Sequence, residues 1–399
     1  MGPMLDLDVV RARFPALASG FVFFDNAGGS QTLGSVADRV RDYLVTNNVQ
    51  LGASYAVSRA STERVEAGVA AAAALVGASP GEVVLGSSST QLLHNLALAM
   101  HGELRAGDEV VITSADHEAN RGPWRRLAER GVVVKEWALD RDSLRLEARG
   151  LEPLLGPKTK LVAFTHVSNL LGSIHDVPAL TRLAHEAGAK VVVDGVAFAP
   201  HRRVDVRALG VDYYVLSLYK VYGPHVGLLY GKREHLERLG NLNHDFLAEE
   251  VPYKLQPGNV NFELTASLGA IVEYMDSLGG LERAFADIAA HEEALSARLL
   301  AYLTQKPGVT VHGDPTPARG RRVPTFAFTV AGREPEAIVR AVDPKGIGVR
   351  HGDFYARPLA RALGCGPGGV VRASAVHYNT LAEVDRLVDA LDEAIDRAR

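Results

Sequence analysis

The organising stretch of this sequence is Tyr213-Tyr214-Val215-Leu216-Ser217-Leu218-Tyr219-Lys220-Val221-Tyr222-Gly223-Pro224. Its first four residues form an apolar run that predicts a β-strand, and Lys220 follows shortly before a Gly-Pro turn. Surface lysines that serve solubility rarely lie between tyrosines at the end of a strand, so solubility does not explain Lys220 well. A desolvated amine loses its proton more easily and becomes a nucleophile, so Lys220 could form an imine with a carbonyl cofactor. The alternative is a lysine whose charged end reaches solvent from a buried edge.

Strands and helices alternate on both sides of this stretch, and from residue 263 onward helices predominate. Near-continuous apolar strands between helices predict an α/β fold with a mostly parallel sheet that is covered on both faces. Ligands bind such sheets beyond the carboxyl ends of the strands. The predicted strands are 21–24, 82–85, 109–113, 132–137, 160–165, 190–194, 211–218, 227–230, 324–330 and 370–373, and the main predicted helices are 35–46, 62–76, 90–100, 121–130, 177–187, 266–278 and 281–303.

The change in the pattern of helices and strands near residue 263, together with the short N-terminal segment, predicts a chain of three parts. Residues 1–20 form an N-terminal arm that packs with the small domain, and residues 21–262 form the large domain. Residues 263–399 form a smaller α+β domain. In it, two long helices precede two short strands and two more helices.

Composition narrows the classes of function. The 399 residues carry a formal net charge of −4, with both signs interspersed, which gives no sign of a nucleic-acid partner. The single cysteine, Cys365, excludes an internal disulfide and a cysteine-rich metal site, and no metal site is predicted. Residues 1–6 lack the pattern of an export signal, and the small-residue run 68–76 is too short to cross a bilayer. We therefore expect a cytoplasmic protein without membrane contact.

Two motifs at predicted strand ends suit a phosphorylated cofactor with a basic ring. Gly86-Ser87-Ser88-Ser89-Thr90 joins a strand to a helix, so backbone N–H groups, hydroxyls and the positive helix end meet where a phosphate could bind. The alternative is an ordinary helix cap. Asp194 closes a buried strand, where an acid is costly unless it is paired. A protonated ring nitrogen would be such a partner, and a cap for the next turn is the alternative.

Three further residues are expected near the same edge. His117 could stack on a flat ring or move protons, or it could be a solvated loop residue. Asn169 could donate to a phenolic oxygen or a carboxylate, or hold a turn. Arg372, in a strand, could bind a substrate carboxylate through two hydrogen bonds, with an internal salt bridge as the alternative. Together with Lys220, Asp194 and the possible phosphate site at 86–90, these residues form the set that pyridoxal phosphate requires.

Over nearly its whole length the chain resembles the class V aminotransferases, and among them the cysteine desulfurases and their relatives. No single motif is specific to this family, but the occurrence of all of them in this order is. The shared motifs are Phe24-Asp25-Asn26-Ala27, Ser89-Thr90, Asp116-His117-Glu118-Ala119-Asn120, Pro123-Trp124, His166-Val167-Ser168-Asn169-Leu170-Leu171-Gly172, Val193-Asp194-Gly195 with Ala199-Pro200-His201, Ser217-Leu218-Tyr219-Lys220 with Tyr222-Gly223-Pro224, and Val371-Arg372-Ala373-Ser374 with Tyr378-Asn379-Thr380.

The resemblance implies the fold type I of pyridoxal-phosphate-dependent transferases and a homodimer with shared active sites. It makes Lys220 the lysine that binds the cofactor covalently and His117 a catalytic residue that stacks on its ring. The other implied cofactor contacts are Asp194 at the ring nitrogen, Asn169 at the phenolic oxygen, Ser89, Thr90 and Ser217 at the phosphate, and Asn259 at the neighbouring subunit's phosphate. The implied substrate contacts are Arg372 at the α-carboxylate, Asn26, Asn169 and Tyr355.

The chain also departs from the family pattern. Tyr355 stands where desulfurases carry their catalytic cysteine, and Cys365 lies further along, in a glycine-rich segment. Ala197 replaces a residue that usually contacts the phenolic oxygen, Tyr219 replaces a histidine and Asn259 a threonine. Because Tyr355 replaces the cysteine, we expect no route through a persulfide at that position.

These features predict a pyridoxal-phosphate-dependent enzyme that acts on an amino acid. The first expectation is desulfurase-like cleavage of a C–S bond without a persulfide cysteine. Transamination or epimerisation of a small amino acid is the alternative reaction. A protein of the same fold that only binds or scaffolds is the alternative of another class.

Overall fold

The computed structural model describes residues 5–396. Residues 1–4, which begin the predicted arm and the stretch without an export signal, and residues 397–399 lie outside the described residues. The strands are β1 Val22–Phe23, β2 Val83–Gly86, β3 Glu109–Thr113, β4 Val133–Trp137, β5 Thr159–Thr165, β6 Lys190–Asp194, β7 Tyr213–Ser217, β8 Gly227–Gly231, β9 Val309–His312, β10 Thr325–Val330, β11 Ile347–Gly348, β12 Arg350–Gly352 and β13 Val370–Ser374. The α-helices are α1 Leu7–Arg11, α2 Gly34–Thr46, α3 Ala56–Val76, α4 Ser89–Ala99, α5 Gly122–Arg126, α6 Ala148–Leu151, α7 Val177–Glu186, α8 Val206–Leu209, α9 Arg233–Arg238, α10 Phe262–Ala266, α11 Gly269–Ser277, α12 Leu281–Gln305, α13 Pro335–Val342, α14 Arg357–Ala362 and α15 Leu381–Asp396.

The central sheet has seven strands in the order β2-β8-β7-β6-β5-β3-β4. Strand β8 runs antiparallel to both of its neighbours, and the pairs from β7 to β4 are parallel. The predicted mostly parallel sheet is confirmed. Six strands therefore point the same way, and their carboxyl ends share one edge of the sheet.

Side-chain alternation divides the interior into two layers. Val191 and Val193 pack in the core on one face of the sheet, whereas Val192 packs in the core on the other face. Because successive side chains of a strand point to opposite faces, an uninterrupted apolar strand fits only where helices cover both faces. Helices α3 and α4 contribute to opposite layers.

The C-terminal region holds a four-stranded antiparallel sheet in the order β12-β13-β10-β9. The prediction of two strands found β10 and β13 and missed β9 and β12. Strand β12 consists of Arg350, His351 and Gly352, which carry no apolar alternation. The pairing of Arg350 with Arg372 and of His351 with Val371 forms this strand, so long-range contacts outweigh its local preference.

The N-terminal segment joins the C-terminal region. Val22 of β1 pairs with Ile347, and Arg11 forms an ion pair of 2.9 Å with Glu383. Phe24 is buried in the core of the C-terminal region, whereas Ile271 of α11 belongs to the core of the central sheet. The division at 20/21 and 262/263 thus stays a prediction, and packing favours later boundaries at both places. No helix within residues 5–396 combines the length and apolarity needed to cross a membrane.

Candidate active site

Lys220 ends a 3-10 turn that follows the carboxyl end of β7. The side chain is buried, with 9% of the residue exposed. Loss of hydration, followed by the positive charge of Arg372, lowers the pKa of Lys220 to about 8. A substantial fraction of this amine is therefore neutral at mildly alkaline pH and able to act as a nucleophile.

Asp194 ends β6, the strand next to β7, and 6% of the residue is exposed. The N–H of Val196 donates to its Oδ1 over 2.9 Å. Among residues 5–396, Oδ2 has no hydrogen-bond partner. Burial raises the pKa of this carboxyl group, and the positive charge of Lys220 opposes that shift. A cationic partner at Oδ2 would offset the cost of burying the carboxylate.

His117 follows β3, on the same edge of the sheet. Its Nδ1 accepts a hydrogen bond of 3.1 Å from the N–H of Ala119. Burial, and then the charges of Lys220 and Arg372, lower the pKa of His117 to about 4. At neutral pH the imidazole ring is therefore uncharged. An uncharged ring suits stacking, but it is not the protonated imidazole that would donate a proton. The ring of Tyr355 lies 5.1 Å from it.

The start of α4 comes close to the end of β7. The hydroxyl oxygens of Ser89 and Ser217 lie 2.7 Å apart, and both side chains are buried. Gly227 permits this approach, because a Cβ there would lie 2.5 Å from the carbonyl carbon of Ser88. Thr90 is exposed at the same helix end. Two hydroxyls and the positive end of α4 thus meet at one place.

Arg372, on β13, reaches the sheet edge from the C-terminal region. Its Nη2 donates to Oδ1 of Asp25 over 2.8 Å, and its Nη1 donates to the carbonyl oxygen of Asn169 over 3.2 Å. The ring centroid of Phe354 lies 3.8 Å from the guanidinium carbon. The internal salt bridge, which was the alternative role predicted for Arg372, is therefore present. Nε of Arg372 and Oδ1 of Asn169 are buried and have no hydrogen-bond partner in the described part of the chain.

A cavity of about 290 Å³ brings five of the eleven predicted site residues together. Lys220 and His117 line it from the central sheet, and Arg372 lines it from the C-terminal region. The other lining residues are Ala27, Gly28, Asn169, Tyr219, Arg350, His351, Gly352, Asp353, Phe354 and Tyr355.

Six predicted site residues do not line this cavity: Asp194, Ser89, Thr90, Ser217, Asn26 and Asn259. The amide of Asn26 donates to the carbonyl oxygens of Phe23 (2.7 Å) and Ser374 (3.0 Å), and its oxygen accepts from the hydroxyl of Tyr378. The expected substrate contact of Asn26 is thus replaced by a structural role, because its polar atoms are already used. Asn259 is exposed and lines another cavity beside Ser87.

Sequence reasoning missed several residues that the tertiary structure places here. Asp25 and Phe354 contact Arg372, and the exposed ring of His225 stacks on Tyr219 with the centroids 4.8 Å apart. Asp25 and Phe354 stand in segments whose resemblance was recognised. No local pattern, however, indicates that they meet Arg372.

The family model "Aminotransferase class-V" matches residues 22–387. The chain belongs to this family. It is 42% identical over 396 residues to the aminotransferase-like protein FGM3 of Gibberella zeae, covering 97% of this chain and 98% of that protein. It is 34% identical to the cysteine desulfurase-like protein ustD of Aspergillus flavus, covering 99% and 92%. The crystal structure of the cysteine desulfurase CsdA (S-sulfonic acid) from Escherichia coli has a TM-score of 0.88 and 28% identity, over 99% of this chain and 100% of that one.

The class-V chain is therefore a pyridoxal-phosphate-dependent enzyme with fold type I, and the non-catalytic alternative is set aside. The residues of the cavity and of the neighbouring strand ends fit the cofactor. A desolvated lysine, a buried carboxylate with one free oxygen, an uncharged imidazole and a hydroxyl pair at a helix start are the groups that an aldehyde, a ring nitrogen, a flat ring and a phosphate require.

The thiol of this class-V enzyme lies outside the cavity of Lys220. Cys365 lines a separate cavity with Arg357 and Arg361, and its Sγ is 4.0 Å from Nε2 of His312. Burial raises the pKa of the thiol, which disfavours the nucleophilic thiolate. Tyr355, 68% exposed, stands at the cavity instead.

Proposed function

We propose that this enzyme cleaves the C–S bond of a sulfur-containing amino acid and releases the sulfur group directly, without passing it through a cysteine of its own. The observation that carries the proposal is that Tyr355 lines the cavity of Lys220, whereas Cys365 lines a different cavity and burial raises the pKa of its thiol. The cofactor groups fit, whereas the thiol that would take a sulfur atom lies elsewhere.

The residues at the sheet edge would share the work of binding and catalysis. Lys220 would hold the cofactor covalently and, once the substrate amine has displaced it, take the proton from Cα. Asp194 would hold the charged ring nitrogen, and His117 would cover the ring. Ser89 and Ser217 would hold the phosphate, and Arg372 with Asn169 would orient the α-carboxylate. When bound, pyridoxal phosphate supplies an electron sink for the electrons left at Cα.

The products distinguish this reaction from its alternatives. Loss of the Cα proton and departure of sulfur from Cβ give 2-aminoacrylate, which water converts into pyruvate and ammonia. Transamination would instead leave the pyridoxamine form of the cofactor, and epimerisation would invert Cα. These reactions share the cofactor residues, so the assay must follow the substrate's side chain.

The test is to incubate the holoenzyme with a panel of amino acids and to measure sulfide, pyruvate, alanine and the pyridoxamine cofactor together. We expect pyruvate and the sulfur product in equal amounts. The Cys365→Ala variant should keep nearly all of this activity, and Lys220→Ala should lose it. Alanine formation that disappears in Cys365→Ala would refute direct release.

We further propose that the enzyme is a cytoplasmic homodimer whose active sites are shared. Exposed apolar side chains on α2 and in the 244–253 segment support a second copy as partner, for example Val45 at 67% and Phe246 at 80% exposure. Asn259 would then reach the neighbour's phosphate. Sedimentation should show a dimer. The Asn259→Ala variant should bind the cofactor more weakly and should remain a dimer.

A further inference from the structure

The cavity wall carries more positive than negative charge. Lys220, Arg350 and Arg372 are its basic side chains, and Asp353 is the single acidic residue lining it among residues 5–396. The carboxylate of Asp353 is already used: it accepts from the N–H of Tyr355 and forms an ion pair of 3.0 Å with Arg357. The wall therefore retains an excess positive charge.

Arg350 and Arg372 are directly opposite each other in the antiparallel pair of β12 and β13. Like charges at such a position repel. One carboxylate serves both: Asp25 lies 2.8 Å from Nη2 of Arg372 and 3.9 Å from Nη1 of Arg350. The first distance is a hydrogen bond and the second is not. Asp25 thus pairs closely with Arg372 and only distantly with Arg350.

Arg350 differs from Arg372 in its freedom to bind a ligand. Its side chain is 60% exposed at the cavity, whereas that of Arg372 is 3% exposed. Within residues 5–396 no acceptor forms a hydrogen bond with the guanidinium of Arg350. A planar guanidinium with unused donors is suited to binding an oxyanion.

We propose that Arg350 selects substrates whose sulfur carries an anionic group, of which S-sulfo-L-cysteine is the simplest. This inference rests on the proposed lyase function. Arg372 would bind the α-carboxylate, and Arg350 the sulfonate. Lys220 takes the Cα proton, and the Cβ–S bond breaks with its electron pair leaving on thiosulfate. Water then converts 2-aminoacrylate into pyruvate and ammonium. No external oxidant or reductant is needed.

The experiment compares two substrates that share an α-carboxylate and a good leaving group, S-sulfo-L-cysteine and the neutral β-chloro-L-alanine. In Arg350→Gln, kcat/KM for pyruvate release from S-sulfo-L-cysteine should fall about tenfold or more, as expected for a lost charge-assisted hydrogen bond. The value for β-chloro-L-alanine should stay within about twofold, since it lacks the anion. Arg350→Lys should recover part of the loss. Arg340→Gln, on the exposed face of α13, is the matched control.

Equal losses for both substrates would overturn the proposal, because Arg350 would then serve the α-carboxylate or the fold. No loss for either substrate would overturn it as well. If the wild-type enzyme releases pyruvate from neither compound, the lyase function fails separately. The spectral change of the cofactor on binding then decides: weaker binding of S-sulfo-L-cysteine alone in Arg350→Gln supports the anion site, and unchanged or uniformly weaker binding refutes it.

Discussion

Burial makes the amine of Lys220 reactive. The side chain leaves water at the carboxyl end of β7, and Arg372 adds a repelling charge. Asp194 and Asp25 oppose this shift only in part. A lysine that reached solvent, the alternative left open by the sequence, would keep its ordinary pKa.

Cofactor uptake should report this lowered pKa. Only the neutral amine adds to an aldehyde, so the rate at which cofactor-free protein incorporates pyridoxal phosphate should rise with pH around a midpoint of about 8. Absorbance of the bound cofactor measures this rate. Lys232→Ala, which removes a lysine paired with Asp212, should leave the profile unchanged. A midpoint at the value of an exposed lysine would contradict the assigned burial.

Phe354 and Tyr355 adopt left-handed backbone conformations, with φ of 51° and 60°. Their carbonyl oxygens accept from Nδ2 of Asn169 (2.8 Å) and from the N–H of Glu118 (2.8 Å), which holds the segment in place. Such backbone costs about 1–2 kcal/mol per residue with a side chain. The strained segment places the two rings over Arg372 and beside His117.

Glycine should relieve this strain at position 355. We expect Tyr355→Gly to be more stable than Tyr355→Ala by about 1 kcal/mol, since glycine adopts positive φ without a Cβ clash. Urea unfolding of both variants gives the difference. Equal stability would mean that the left-handed conformation is not held in solution.

The start of α4 links the central sheet to the predicted phosphate site. Gly86 of β2 and Ser217 of β7 both lie opposite Gly227 of β8, so the helix begins beside the end of β7. Sequence resemblance assigned the phosphate to both Ser89 and Thr90. The geometry favours Ser89, because its hydroxyl meets that of Ser217, whereas Thr90 is exposed.

Two matched variants separate these residues. Ser89→Ala should weaken binding of pyridoxal phosphate to the cofactor-free protein about tenfold, through loss of a hydrogen bond to a charged group. Thr90→Ala should have a smaller effect. Equilibrium titration measures both dissociation constants. A larger effect of Thr90→Ala would favour the assignment by resemblance over the geometry.

The molecule's two regions are joined by a buried charged cluster. Glu292 of α12 is fully buried and accepts from His201 (2.8 Å) and Arg202 (2.6 Å). Arg202 also donates to the carbonyl oxygens of Arg319 and Arg322. The cluster connects the segment after β6 to α12 and to the segment before β10.

Neutralising Glu292 should destabilise the whole molecule. Glu292→Gln leaves Arg202 without its buried counter-ion, and we expect a loss of about 3 kcal/mol in the free energy of unfolding. Glu293→Gln is the control, because that side chain is 31% exposed and pairs with Arg319 near the surface. Its cost should be less than about 1 kcal/mol. Urea unfolding followed by circular dichroism compares them, and similar losses would deny the buried cluster its special role.

The sequence by itself determined the central sheet and the side chains at its carboxyl edge. Strands β3 and β6 have the predicted bounds, because an uninterrupted apolar run between helices has one stable environment, the interior of a parallel sheet. The predicted strand ends alone place three side chains at this edge: Lys220, Asp194 and His117. Tertiary structure decided the close pairing of Arg372 with Asp25, the structural role of Asn26 and the distant pairing of Arg350 with Asp25. These features depend on contacts between residues up to 353 positions apart, which no local pattern records. They form only when the C-terminal sheet closes on the edge of the central one.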